Sequence, residues 1–127
     1  MPKTGPMVAI VDDDQSVREA TESLLRSAGY NAEAYASAEE FLDAGPGVSA
    51  DCLILDIGLT GMSGPDLQRH LSSTGRQLPI VFITAFEESA ERLRPTAARL
   101  GARAFVNKPF GSNDLLEAVR YALGDDD

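Results

Sequence analysis

The chain has 127 residues, 43% of them apolar and 24% charged, a composition that folds and excludes wholesale disorder. A chain of this length makes one domain and buries enough surface to fold without a disulfide or a structural metal. Twenty acidic residues against 11 basic ones give a net charge of −9, the opposite of the basic footprint that nucleic acid or an anionic membrane calls for.

A single cysteine, Cys52, excludes an internal disulfide and a cysteine-based zinc site. A single histidine, His70, leaves little room for histidine metal ligation or a Ser–His nucleophile. No apolar run approaches the roughly 18 residues of a membrane helix, and the first six residues lack an apolar signal core. The expectation is one acidic, soluble, cytoplasmic domain over residues 1–127, with its core over about 7–123.

Met7 to Val11 is a short continuous apolar run, the pattern of a strand buried on both faces. Val17, Ala20, Leu24 and Ala28 then recur at helical spacing, with Asp14 as N-cap and Gly29 as the stop. A brief strand over 31–35 follows. Ser37 and Glu40 stand at the spacing of a capping box and open a short helix carrying Phe41 and Leu42. Cys52 to Leu55 is a second fully apolar run, ending at Asp56. After a loop from Gly58 to Gly64, Pro65 suits the first turn of a helix with Leu67 and Leu71 inward.

Pro79 to Ile83 predicts a further strand, ending at Thr84. Residues 87–100 predict a helix interrupted by Pro95, which leaves it short, kinked or late to start. Ala104 to Val106 predicts the last strand, and Ser112 is read as the cap of a final helix with Leu115, Leu116, Val119 and Leu123. Cys52 reads as an apolar filler, and His70 as a surface residue. About five strands alternate with about five helices. Apolar strands between amphipathic helices mean a parallel sheet covered on both faces. The expected fold is a doubly wound, flavodoxin-like three-layer α/β sandwich with a five-stranded parallel sheet.

In such sheets ligands bind beyond the carboxyl ends of the strands. Those ends carry Asp12, Asp13 and Asp14, then Asp56, Thr84 and Lys108. Clustered carboxylates repel unless a cation joins them. Oxygen donors without histidine or cysteine favour a hard ion, Mg²⁺ above all. Carboxylates, a lysine and a threonine around Mg²⁺ suit a phosphoryl group, and an aspartate can accept one covalently.

Four stretches carry a family resemblance: Ile10 to Asp14; Leu53 to Asp56 with Gly61 to Gly64 after it; Ile83 to Ala85; and Phe105 to Phe110. In this order and at this spacing the chain resembles a response-regulator receiver domain, the CheY-like phosphoacceptor module of two-component signalling. The resemblance implies that Asp56 accepts a phosphoryl group from a sensor histidine kinase or a histidine phosphotransfer protein. Asp12, Asp13, Asp56 and the carbonyl of Gly58 would hold Mg²⁺, Asp12 mainly through water. Thr84 and Lys108 would bind the phosphoryl oxygens. Phe105 would be the aromatic switch that follows Thr84, and Pro109 would follow a cis peptide bond. The face made by the helix over 87–100, the last strand and the last helix would meet a downstream partner.

Thr60 stands where the family usually has proline, which leaves the loop after Asp56 more mobile. The stretch from Thr84 to Lys108 is about two residues longer than usual. Phe86 is large and apolar at a position expected, with Gly58, to tune dephosphorylation by shielding the phosphoryl group from water. The expected function is a stand-alone phosphorelay receiver with no separate turnover substrate, touching neither nucleic acid nor membrane. A phosphorylation-dependent homodimer is a further option. The first alternative is the receiver half of a transcription factor without its DNA-binding domain. A remote one is a Mg²⁺-dependent phosphatase, because Asp12, Asp14 and Ser16 faintly resemble the haloacid-dehalogenase nucleophile motif.

Overall fold

Five apolar segments build one sheet: β1 (Met7–Val11), β2 (Asn31–Tyr35), β3 (Cys52–Asp56), β4 (Ile80–Thr84) and β5 (Ala102–Asn107). All pairings are parallel, in the order β2-β1-β3-β4-β5. The computed structural model describes residues 6–44, 50–59, 61–75, 78–84, 102–107 and 111–124. Every residue of β3 and β4 is buried, which is why these segments read as unbroken apolar runs and not as alternating ones.

The described residues form four helices: α1 (Gln15–Ser27), α2 (Ala38–Ala44), α3 (Gly64–Ser73) and α4 (Ser112–Ala122). The helix expected over 87–100, with Pro95, lies outside the described residues, as does Thr60. Two apolar clusters flank the sheet. One joins Val8, Ile10, Ile54, Val81 and Ile83 to Leu25 of α1 and to Leu115 and Val119 of α4. The other joins Val11, Leu55 and Phe82 to Phe41 of α2 and to Leu67 and Leu71 of α3. Alternate strand residues feed alternate clusters, so the three layers follow from the period-two geometry of the strands.

The caps follow the local sequence. The Asp14 carboxylate accepts from the N–H groups of Ser16 and Val17 at the start of α1. Ser37 Oγ accepts from the Glu40 N–H at 3.0 Å, while Glu40 Oε1 reaches the Ala36 N–H at 3.1 Å, one residue before the expected cap. Gly29 follows α1 with φ +96°, a conformation that suits a residue without Cβ.

Several boundaries differ from the sequence reading by a residue or two, β4 starting at Ile80 and α3 at Gly64, and two of the differences have a local physical reason. Ser112 is the first residue of α4 and not its cap. The cap is Gly111, which has no side-chain acceptor, and its N–H donates to the Asp114 carboxylate at 3.4 Å, the reciprocal half of a capping box. β5 begins at Ala102 and not at Ala104. Ile80 pairs with Ala102 and Val81 with Ala104, so the register skips the exposed Arg103. That polar residue in an irregular step hid the start of the strand.

Candidate functional site

The chain order changes direction between β1 and β3, and their carboxyl ends lie side by side. Val11 pairs with Leu55, so Asp12 and Asp56 are the next residue on each strand. Asp12 is 1% exposed and Asp56 7%, while Asp13 is exposed in the bend between β1 and α1. One carboxylate oxygen from each of Asp12, Asp13 and Asp56 lies within 4.8 Å of the others. The third acid of the run, Asp14, is taken up by the helix cap. The sequence therefore places two aspartates at the site and spends the third on positioning α1.

Short bonds fix both buried acids. The Asp12 N–H donates to the Tyr35 carbonyl at 3.1 Å, its Oδ1 accepts from the Asp14 N–H at 2.9 Å, and its carbonyl accepts from Arg18 Nη1 at 2.9 Å. Asp56 Oδ1 accepts from the Gly58 N–H at 3.1 Å, which turns the chain just beyond β3. The Ile57 N–H donates to the Ile83 carbonyl at 3.0 Å and ties that turn to β4.

Thr84, 2% exposed, is the last residue of β4. Asp56 pairs with Ile83, so Thr84 stands one step further along than the residue opposite Asp56. Phe105 is half-buried on β5 and stacks on Phe82. Lys108, Pro109 and Phe86 lie outside the described residues. The structure thus brings Asp12, Asp13, Asp56, Gly58 and Thr84 to one edge of the sheet, and Phe105 to the neighbouring strand.

The donor set fits a hard divalent cation. It is all oxygen, and a 4.8 Å spread is close to the roughly 4.2 Å that separates opposite ligands of an octahedral Mg²⁺ at about 2.1 Å per bond. Three carboxylates this close repel one another, and a cation between them removes that repulsion.

Two residues shape the site in ways that the sequence reading does not anticipate. A Cβ on Gly64 would lie 2.5 Å from the Asp56 carbonyl oxygen, so only glycine lets the start of α3 press against the end of β3. Glu39, a first-turn acid of α2, accepts from the Met62 N–H at 2.9 Å across 23 residues of chain. That bond holds the Glu39 carboxyl below its ordinary pKa. Gly64 is legible as part of a motif but not as a steric requirement, and nothing local marks Glu39.

A parallel sheet in this order with acids at the switch point defines a receiver-type signalling domain. The family model for the response regulator receiver domain matches residues 8–120, and the chain belongs to that family. It is 42% identical over 117 residues to the response regulator protein TmoT of Ectopseudomonas mendocina, covering 92% of this chain and 52% of that protein. It is 36% identical over 124 residues to the transcriptional regulatory protein FixJ of Azorhizobium caulinodans, covering 98% and 57%. The crystal structure of a response regulator receiver protein from Burkholderia phymatum is 43% identical, with a TM-score of 0.79 over 94% of this chain and 95% of that one. The chain spans about half the length of the curated relatives it matches. No helix among the described residues is long and apolar enough to cross a membrane.

Proposed function

We propose that this receiver takes a phosphoryl group on Asp56 in a phosphorelay, with Mg²⁺ as its cofactor. The observation that carries the reading is the meeting of Asp12, Asp13 and Asp56 within 4.8 Å at the switch point of the sheet. Asp12, Asp13, Asp56 and the Gly58 carbonyl would hold the ion. When bound, Mg²⁺ would neutralise the carboxylates and the incoming phosphoryl charge.

The protein's own part is nucleophile and cradle. An Asp56 carboxylate oxygen bonds to phosphorus as the P–N bond of a phosphohistidine breaks, and the imidazole leaves with the electron pair. The Gly58 N–H holds Oδ1 and so fixes the plane of the nucleophile. Asp12, held on both sides of its peptide, keeps its carboxylate beside that of Asp56. Thr84 donates to a phosphoryl oxygen, and Lys108 pairs with its charge. Phosphorylation adds nearly two negative charges at a packed edge. Thr84 moves toward them and Phe105 follows, which changes the partner-facing surface of β5 and α4.

The donor is a sensor histidine kinase or a histidine phosphotransfer protein in the cytoplasm. The product stays on the chain, so the domain is a signalling element and not a turnover enzyme. Phe86 shields the phosphoryl group from water. A second arrangement joins this receiver to a DNA-binding output domain. The half-length match to regulators named as transcriptional favours that arrangement over a stand-alone receiver. Family membership leaves no ground for the haloacid-dehalogenase reading.

Intact mass after incubation with acetyl phosphate and Mg²⁺ tests the reading. Wild type gains one phosphoryl group, while Asp56→Asn and wild type in EDTA gain none. A gain that survives in Asp56→Asn would overturn the assignment of the acceptor.

A further inference from the structure

We propose that Glu39 of α2 is a positioning residue for the loop that follows Asp56, holding it so that the Gly58 carbonyl faces the metal site. The inference rests on the receiver reading above and adds a residue to it.

Described residues on either side of position 60 are anchored. Ile57 bonds to β4, Leu59 is buried, and Ser63 Oγ caps α3 by accepting from the Asp66 N–H at 3.2 Å. Gly61 is exposed and has φ +74°. Met62 is partly buried against the cluster of Phe41 and Leu67, and a polar contact adds to that packing. Glu39 Oε2 accepts from the Met62 N–H at 2.9 Å. The same oxygen lies 2.9 Å from where a Cβ on Gly61 would be. The carboxylate therefore occupies the space that glycine leaves, and it does so from a helix anchored by Ala38 and Phe41, both 0% exposed. A first-turn glutamate also favours the helix dipole, but that role needs no bond to a loop 23 residues away.

Without the strut the loop samples more conformations, and the Gly58 carbonyl faces the site for a smaller fraction of time. Apparent affinity falls in proportion to the fraction that is competent to bind. Glu39→Ala is expected to weaken Mg²⁺ binding by about 3- to 10-fold, the low end of what outer-shell partners contribute because this one is exposed. The Met62 amide exchanges faster with solvent. The melting temperature stays within about 2 °C, since only a surface bond is lost. Glu39→Gln keeps an oxygen acceptor at the same reach and recovers most of the affinity.

The experiment is an NMR titration of the full chain with Mg²⁺ alone, read at the Gly58 and Met62 amides in wild type and both variants. Loss in Glu39→Ala with recovery in Glu39→Gln supports the proposal. Equal affinity in wild type and Glu39→Ala overturns it. So does an equal loss in both variants, which marks a charge effect and not a positioning one. If wild type itself binds no Mg²⁺, the proposed metal-dependent function fails, and this proposal fails with it.

Discussion

Phe82 and Phe105 are Cα partners across β4 and β5, and their rings stack with centroids 5.5 Å apart and planes 24° from parallel. Phe82 and Thr84 are two residues apart on one strand, so they share a face of the sheet. The ring of Phe105 thus rests on the residue two steps before the hydroxyl assigned to the phosphoryl group. Beside it opens a groove of about 520 Å³, lined also by Ala104, Val106, Ala118 and the half-exposed Tyr121. Phe105 therefore sits between packed core and open surface, which is where a conformational readout has to sit.

Phe105→Ala is expected to cost about 1–3 kcal/mol, less than a fully buried phenylalanine because one side of the ring faces the groove. Urea unfolding measures that loss. Phosphoryl acceptance by Asp56 is expected to persist in the variant, because the Gly58 N–H in the turn after β3 holds the Asp56 carboxylate. In wild type, the ring resonances of Phe105 shift on phosphorylation. Unchanged ring resonances in the fully phosphorylated protein would remove Phe105 from the switch.

Burial pushes the Cys52 thiol up to about 12 from its ordinary 9.0. A folded-state value above the unfolded one stabilises the fold below pH 9 and withdraws that contribution as pH rises toward 12. Stability is therefore expected to fall across that window. At pH 8 the native thiol resists iodoacetamide and reacts only after unfolding, since the thiolate is the nucleophile. Peptide mapping after labelling in buffer and in urea reads this directly. Rapid labelling of the native chain would contradict the burial of β3.

The architecture was legible because long-range and local signals agree. The runs 7–11 and 52–55 are apolar without alternation, which only a sheet covered on both faces explains. Asp12 and Asp56 could be placed together because each ends such a run. Glu39 could not, since its partner is a backbone N–H brought close by the fold and its sequence context is that of any first-turn acid. Gly111 was missed as a cap for a related reason. Serine is the stronger cap by type, but here the Asp114 carboxylate secures the N–H of Gly111, a bond that does not depend on the cap's side chain. Arg103 broke the apolar pattern of β5 because the register skips it.

Thr21 and Leu25 form the buried stripe of α1, yet the Thr21 hydroxyl finds no hydrogen-bond partner among the described residues. A buried hydroxyl without a partner costs about 1–3 kcal/mol of desolvation. Valine has the same shape and nearly the same helix propensity. Thr21→Val is expected to raise stability by about 1 kcal/mol, read as a higher urea midpoint with an unchanged slope. A lower midpoint would mean that the hydroxyl has a stabilising partner.

Gly64 offers the sharpest steric test of the site. A Cβ there would lie 2.5 Å from the Asp56 carbonyl oxygen and 3.1 Å from the Ile57 Cα, both backbone atoms that cannot rotate away. Gly64→Ala must therefore push α3 away from the end of β3, at a cost of about 1–3 kcal/mol. The same displacement moves the turn held by the Gly58 N–H on Asp56 Oδ1. Phosphorylation by acetyl phosphate is expected to slow by roughly 10-fold or more, since misplacing a nucleophile by about 1 Å can cost 100-fold. Gly75→Ala serves as the control for adding a methyl group, because its Cβ meets nothing within 4 Å, although its φ of +82° brings strain of its own. A loss of stability in both variants with slow phosphorylation only in Gly64→Ala would locate the effect at the β3–α3 junction. Equal phosphorylation rates in Gly64→Ala and wild type would show that α3 can shift without moving Asp56.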